Sequence, residues 1–182
     1  MIADPEERIP TTSELAQWCE KLAELADQNH RVIATAESLT AGNLAAELGR
    51  ATNSGDWYCG GIVAYRKEVK HDVLDVPDGP VVSEAAARAM ARSTATLLGA
   101  DLAVAVTGEA GPETQEDVPP GTVWFGVYDN GSVETLHRVF DGDPEQVLAS
   151  TIAASVDLLI RHAQAGTGDP DEQTPRPREE NP

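Results

Sequence analysis

Apolar positions along the chain recur at helical spacing in some segments and form short strand-like runs in others. This pattern predicts that helices and strands follow one another. Apolar residues at helical spacing predict an amphipathic first helix over Ser13 to Asn29, with Thr12 or Ser13 as its N-cap. The β-branched run Arg31 to Ala36 predicts a buried strand, and a tight turn after it leads into an alanine-rich helix over Ala41 to Leu48. The chain therefore begins with a helix, followed by a strand, turn, helix unit.

The same order of strand and helix recurs through the middle of the chain. Ser83 is placed to cap a long alanine-rich helix, and Gly99 is placed to end it. This order favours a parallel sheet with helices on its faces. A strand, a short helix, the long helix and a further strand are expected over Trp57–Tyr65, Arg66–Leu74, Ser83–Leu98 and Leu102–Val106.

The last third of the chain predicts a hairpin and a final helix. Asn130 and Gly131, a strong hairpin signal, separate apolar runs over Thr122–Tyr128 and Val133–Phe140, and Pro144–His162 has helical spacing. Hairpin strands are antiparallel. We therefore expect an α/β fold, a three-layer α/β/α sandwich whose mixed, mostly parallel sheet has about five strands, one of them antiparallel.

Length and patterning together favour one domain. A chain of 182 residues can build one hydrophobic core, and the apolar periodicity occupies residues 13–163. Residues 1–12 are interpreted as an N-terminal extension. Residues 164–182 are rich in Pro, Gly, Asp and Glu without an apolar anchor, so they are interpreted as a disordered acidic tail.

Charge excludes one large class of partner. The chain has 31 Asp and Glu residues against 13 Lys and Arg, a formal net charge of −18, and only three lysines. Proteins that bind nucleic acid gain affinity from clustered cations, so we expect no nucleic-acid partner. An acidic surface poor in lysine suggests instead a salt-rich cytoplasm, where self-repulsion is screened.

Neither a signal peptide nor a membrane span is apparent. The first residues lack an apolar region, and no later apolar run reaches the roughly 20 residues that cross a bilayer. With only Cys19 and Cys59, the chain needs no disulfide frame. We expect a soluble cytoplasmic protein that does not bind membranes.

Two loops at the ends of predicted strands are candidates for a ligand site. In the first, from Glu37 to Gly42, the hydroxyls of Ser38 and Thr40 and the free N–H groups of a helix start could hold a phosphate or an oxyanion. The alternative is that either hydroxyl only caps the helix. In the second loop, Thr107 to Pro112, glycines could admit a ligand or simply form a turn.

Lys70 is conspicuous in a chain with so few lysines. It lies five residues after Tyr65, and a desolvated lysine can act as a base for a serine while a tyrosine hydroxyl relays the proton. The alternative is a solvated helix lysine. The four histidines and two cysteines have no metal-ligand spacing, so we expect no metal.

Five short blocks in this order resemble the CinA C-terminal-domain family over about residues 13–163. The resemblance implies a nicotinamide mononucleotide deamidase, which converts the carboxamide to the acid and ammonia without a cofactor or metal. It also implies a homo-oligomer, and fusion to a larger N-terminal domain in many members; here we expect the stand-alone form. The blocks are Ala34–Gly42, Gly60–Tyr65 with Lys70, Val82–Glu84, Val104–Pro112 and Pro120–Val123.

The resemblance also implies residue roles. Ser38 would be the nucleophile or the hydroxyl that orients water, Lys70 its base, and Tyr65 the proton relay. The implied substrate contacts lie in the two loops. They are Glu37, Thr40, Gly42, Asn43, Thr107 and Gly108.

Three departures from the family pattern put substrate fit in question. Family members read Glu-Ser-Cys-Thr-Gly-Gly where this chain has Leu39 and Ala41, and Gly-Asp-Arg where it has Pro144. The usual glycine-rich stretch after Ala-Gly-Pro is replaced by residues 113–117, an acidic segment. Two alternatives to the deamidase therefore stay open, a non-catalytic nucleotide-binding or regulatory homologue and an amidase for a related pyridine or pterin-like substrate.

Overall fold

The computed structural model describes residues 8–112 and 116–165. Most of the expected N-terminal extension and acidic tail lies outside these residues, as does part of the acidic segment at 113–117. At the margins, Thr11 caps the first helix with Glu14 in a capping box, and the last helix continues to Gln164. The N-cap is therefore one residue earlier than the sequence predicts.

Within the described residues, each of the first three strands is separated from the next by two helices, and the hairpin follows. The helices are α1 Thr12–Gln28, α2 Asn43–Gly49, α3 Ser54–Trp57, α4 Lys67–Leu74, α5 Glu84–Leu98 and α6 Pro144–Gln164. The strands are β1 Ile33–Glu37, β2 Tyr58–Val63, β3 Leu102–Gly108, β4 Thr122–Asp129 and β5 Ser132–Val139.

The five strands form one sheet in the order β2-β1-β3-β4-β5. β1 pairs in parallel with both β2 and β3, while β4 is antiparallel to β3 and to β5. Only β4 therefore runs against the other strands. The predicted mixed, mostly parallel sheet with one reversed strand is confirmed.

Helices cover both faces of the sheet and give the expected three layers. On one face, α1, α2 and α6 bury apolar residues such as Leu22, Leu48 and Val156 against Ile33 and Val104. On the other face, α4 and α5 pack against the smaller strand residues, mainly alanines. Strand residues alternate between the two clusters because successive side chains point to opposite faces.

Two local predictions are confirmed by backbone geometry. Asn130 and Gly131 both have positive φ, 46° and 95°, as a two-residue hairpin turn requires. Ser83 accepts a hydrogen bond from the N–H of Ala86 at the start of α5, and Gly99 ends that helix with φ of 69°. Short-range turn chemistry fixes these boundaries.

The boundaries of the first two strands differ from the predictions. Residues 54–57 form the short helix α3, so β2 begins at Tyr58 and not at Trp57. β1 begins two residues later than expected because the N–H of Arg31 donates to the carbonyl of Ala26 (2.8 Å) and that of Val32 to the carboxylate of Asp101 (2.9 Å), not to a neighbouring strand. The buried guanidinium of Arg31 lies 2.6 Å from Asp101 and 2.5 Å from Asp129. These contacts join the far ends of β1, β3 and β4.

Among the described helices, none combines the length and the apolar character needed to span a bilayer.

Cys19 and Cys59 are both free thiols. Burial raises the pKa of Cys19 to about 11, so this thiol stays protonated and unreactive near neutral pH.

Candidate functional site

The two candidate loops lie at the topological switch point of the sheet. β1 lies between β2 and β3, so the chain passes from β1 to β2 on one side of it and then to β3 on the other side. Crevices at such switch points, beyond the carboxyl ends of parallel strands, bind ligands in open α/β sheets. The segments that follow β1 and β3 therefore lie side by side at a favoured position.

Ser38 lies at the centre of this edge. Its N–H donates to the carbonyl of Val106 (3.1 Å), and the carbonyl of Glu37 accepts from the N–H of Ala64 (2.8 Å). Strand pairing thus continues through Ser38, which places its side chain on the face of Ala36, the face covered by α4 and α5. Ser38 is 7% exposed, and its hydroxyl makes no hydrogen bond to a described residue.

Glu37 occupies the start of α2, so the expectation of free N–H groups is wrong at Gly42, while the N–H of Thr40 donates to no described residue. One carboxylate oxygen accepts from the N–H of Gly42 (2.9 Å) and Leu44 (3.1 Å), and the other accepts from Ala45 (2.8 Å). Glu37 is fully buried. Because this internal carboxylate already neutralises the helix N-terminus, a substrate phosphate has no place at these three N–H groups.

Neither Ser38 nor Thr40 caps α2, so the capping alternative is wrong for both hydroxyls. The N-cap is Gly42 and has no side-chain hydrogen bond. The Thr40 hydroxyl is buried without a partner among the described residues, and its carbonyl accepts from the side chain and the N–H of Asn43. The N–H groups of Leu39 and Thr40 also donate to no described residue. Donors of this kind beside a nucleophile are suited to an oxyanion.

Ala41, one of the departures from the family pattern, sits in a glycine-type conformation. Its φ is +50°, which costs an L-residue roughly 1–2 kcal/mol, part of which glycine would lose again as backbone entropy. We expect Ala41→Gly to raise the free energy of unfolding by about 0.5–1 kcal/mol in urea titrations. As a control, Ala46→Gly inside α2 should lower it by about 1 kcal/mol. If both variants were less stable than the wild type, the backbone at Ala41 would not be strained.

Leu39 and Pro144, which also depart from the family pattern, have structural explanations. Leu39 packs with Val106, Phe125 and Val147 in the cluster beneath α6, on the opposite face from the placement of Ser38. Pro144 is the first residue of α6, where a missing N–H is tolerated, and Asp143 caps that helix. Both substitutions therefore serve the core and a helix start.

Lys70 is buried, as the proposed base requires. The residue is 3% exposed, and its ammonium donates to the carbonyl of Tyr65 at 3.3 Å. No carboxylate of the described residues forms an ion pair with it. Burial lowers the pKa of Lys70, and the charges of Glu116 and Glu109 partly oppose that effect. The solvated-lysine alternative is wrong.

Ser38 and Lys70 lie on the same side of the sheet but are not hydrogen-bonded to each other. Lys70 is one helical turn before Leu74, which packs with Ala36 and Ala64 beside Ser38. Catalytic hydrogen bonds commonly tighten only when substrate binds, so the open geometry is compatible with a base and its nucleophile.

Tyr65 contacts Lys70 through its main chain. Its side chain is 62% exposed, and its hydroxyl makes no hydrogen bond within the described part of the chain. The structure thus brings Tyr65 next to Lys70 without engaging the hydroxyl that the relay role uses.

In the second loop, Thr107 and Gly108 both contact neighbouring segments of the protein. The buried hydroxyl of Thr107 donates to the carbonyl of Val81 at 2.6 Å. A β-carbon on Gly108 would lie 2.5 Å from the carbonyl oxygen of Thr122, so the adjacent strand requires glycine here. The structural explanation of this glycine is sufficient.

Sequence reasoning missed Glu116. Its carboxylate accepts from the N–H groups of Val81 (2.9 Å) and Val82 (2.8 Å) and its charge acts on Lys70. No periodicity or motif marks a single carboxylate in an irregular loop. The only available signal is the acidic character of the segment.

Over residues 8–112 and 116–165, no three His, Cys, Asp or Glu side chains are grouped so that they could hold a metal ion. The expectation of metal-free chemistry stays a prediction.

A family model described as the CinA C-terminal domain matches residues 15–163. The chain belongs to the CinA C-terminal-domain family. Solved CinA superfamily structures have the same fold. One from Klebsiella pneumoniae has a TM-score of 0.79 at 34% identity, covering 83% of this chain and 98% of that one. One from Escherichia coli has a TM-score of 0.79 at 29% identity, covering 86% and 96%.

Curated relatives of this CinA-family chain are of two lengths. A nicotinamide-nucleotide amidohydrolase PncC from Pseudomonas putida is 38% identical over 135 residues, 71% of this chain and 84% of that protein. A putative competence-damage inducible protein from Lactiplantibacillus plantarum is 39% identical over 137 residues, 72% of this chain but 32% of that protein. The chain therefore spans about a third of the longer relatives.

Proposed function

We propose that this chain hydrolyses the carboxamide of nicotinamide mononucleotide to nicotinate mononucleotide and ammonia, a step of pyridine nucleotide salvage. The observation that carries the proposal is Lys70, which is buried and has no ion pair with a described residue. It lies on the side of the sheet where the Ser38 hydroxyl makes no hydrogen bond to a described residue. The substrate is suggested by the similarity to the Pseudomonas putida amidohydrolase.

Amide hydrolysis needs a nucleophile, a base and donors for the tetrahedral oxygen. Ser38 attacks the carboxamide carbon or orients the water that does, and neutral Lys70 takes the proton. The Leu39 and Thr40 N–H groups stabilise the oxyanion. When the carbon–nitrogen bond breaks, the proton passes to the leaving nitrogen, which departs as ammonia, and water supplies the oxygen of the new acid. Tyr65 joins this relay when substrate brings its hydroxyl to Lys70.

The remaining site residues divide into contacts and supports. Thr40 contacts the substrate through its hydroxyl, which has no partner among the described residues. Gly42 and Asn43 contact it through their exposed surface, because their N–H groups are bound within the turn. Glu37, Thr107 and Gly108 are buried or closely packed and act through the loop conformation. No cofactor or metal takes part.

The substrate phosphate meets positive charge at the start of α4. Arg66 and Lys67 place two cations at the start of α4, the helix that also carries Lys70, the neutral base. Glu37 excludes the phosphate from α2, so these two side chains are the proposed phosphate contacts.

Ammonia release tests the proposal. The purified chain, incubated with nicotinamide mononucleotide in low and high salt, should release ammonia in proportion to nicotinate mononucleotide. Folded protein that releases none in either condition would reject it. Thermal stabilisation by the nucleotide without turnover would favour the non-catalytic homologue, and faster turnover of another carboxamide would favour the related amidase.

We also propose that this cytoplasmic enzyme is adapted to salt. The net charge of −18 creates self-repulsion that counterions screen, with a Debye length falling to about 3 Å at 1 M. We expect the urea midpoint to rise when 1–2 M KCl is added. An unchanged or lower midpoint, relative to an ordinary protein of near-zero charge measured in parallel, would contradict the adaptation.

A homo-oligomer is proposed as well. Val63 is 45% exposed and Tyr65 62% exposed at the end of β2, an edge strand of the sheet. Exposed apolar side chains on an unpaired strand edge favour association. Sedimentation equilibrium should give a mass above 19.3 kDa, and a monomer at all concentrations would contradict the assembly.

A further inference from the structure

Two side chains of the candidate site bind the main chain of Val81 and Val82, in the segment before α5. Thr107, at the end of β3, donates to the carbonyl of Val81. Glu116, in the loop between β3 and β4, accepts from the N–H groups of Val81 and Val82. A carboxylate held by two main-chain donors is a strong, charge-assisted contact.

The same loop is also fixed at its base. Glu109 donates its N–H to the carbonyl of Thr122 (2.9 Å), and its own carbonyl accepts from Gly121 (2.8 Å). The loop thus has two attachment points, at Glu109 and at Glu116. Val81, which Glu116 binds, and Val69 of α4 pack against the same buried cluster, which contains Leu74 of α4. The second attachment point therefore lies against the helix that carries Lys70, and the charges of both carboxylates favour the charged form of that lysine.

We propose that Glu116 is a positioning residue: by binding the Val81 and Val82 N–H groups, its carboxylate holds a negative charge at a fixed place beside the buried ammonium of Lys70. The role of Lys70 as base rests on the proposed function. The hydrogen-bonded contact itself does not.

A carboxylate near Lys70 changes the pKa of that lysine in one direction. From another element, the charges of Glu116 and Glu109 act on Lys70. The charged and titratable residues of α4 and its N-cap are Arg66, Lys67, Glu68, His71 and Asp72. Negative charge favours the ammonium, so Glu116 keeps the pKa of Lys70 higher than burial alone would leave it. Without that charge, Lys70 deprotonates at lower pH, and the rise of kcat/KM with pH moves the same way.

The chain offers a clean way to observe Lys70 directly. Lys21, Lys67 and Lys70 are its only lysines, so protein labelled with ¹³C at lysine Cε gives three signals, assigned by Lys70→Arg. In Glu116→Gln, we expect the Lys70 signal to titrate at lower pH than in the wild type. Asp117→Asn removes the same charge from the exposed neighbouring residue and should leave the Lys70 curve nearly unchanged.

Kinetics supply the second readout. Glu116→Gln should shift the ascending limb of the kcat/KM profile to lower pH, while Glu116→Ala, which also loses the contact to residues 81–82, should lower the plateau by about 10-fold or more. An unmoved Lys70 curve in folded Glu116→Gln, or an equal shift in Asp117→Asn, would overturn the proposal. Because the titration needs no turnover, a wild type that releases no ammonia would reject the proposed function alone.

Discussion

Lys70→Met should lower kcat/KM for ammonia release by about 10²–10⁴-fold, the usual contribution of a positioned general base. The side chain is 3% exposed and its only described hydrogen bond goes to the Tyr65 carbonyl, so no carboxylate loses an ion-pair partner in the variant. Methionine is flexible and fills a similar volume. The loss of activity should therefore occur in a folded protein.

The pH dependence of the free energy of unfolding tests the burial of Lys70 independently of activity. Because burial lowers the pKa of Lys70, the unfolded chain binds more protons than the folded one between that lowered pKa and 10.5. The stability of the wild type relative to Lys70→Met should then rise with pH through this window and be lowest below it. Urea unfolding of both proteins at several pH values measures the difference.

Two variants make the kinetic result specific. Lys70→Arg keeps a positive charge that does not deprotonate, so it should be as inactive as Lys70→Met. Lys21→Met removes an exposed lysine from α1, where it pairs with Glu24, and should retain wild-type turnover. Undiminished ammonia release by Lys70→Met would show that another group acts as base.

The architecture could be predicted because its signals are local. The alternation of strand and helix, the Asn130–Gly131 turn and the Ser83 cap each depend on a few neighbouring residues, and each is found where the sequence places it. The two loops at the switch point follow from that order. Local chemistry was therefore sufficient to locate the edge of the sheet that carries the candidate site.

Contacts within the site depend on strand order and could not be predicted in the same way. Glu37 looks like a loop carboxylate in the sequence, but pairing of β1 on both sides buries it under the start of α2. Glu116 reaches Val81 across a gap of 35 residues. Such contacts arise only once the sheet has assembled, and the polar residues involved have no periodicity to reveal them.

Glu37→Ala should reduce the free energy of unfolding by about 3–5 kcal/mol. The change leaves three N–H donors at the start of α2 without their acceptor, that of Leu44 fully buried and those of Gly42 and Ala45 half-buried. Each unsatisfied buried donor costs about 1–3 kcal/mol. Glu37→Gln keeps the size and one carbonyl acceptor but points an amide NH₂ at a donor, so a smaller loss of about 2 kcal/mol is expected. Urea titration at neutral pH measures both.

The matched control is Glu47→Ala, on the same helix. Glu47 pairs with Arg50 near the surface, so its loss should cost about 1 kcal/mol or less. If Glu37→Ala were no more destabilising than Glu47→Ala, the carboxylate would not be what holds the loop to the helix. A large difference would mean that the turn presenting Ser38 is built around a buried anion, and it would support the proposal that an anionic substrate binds positive charge at the start of α4.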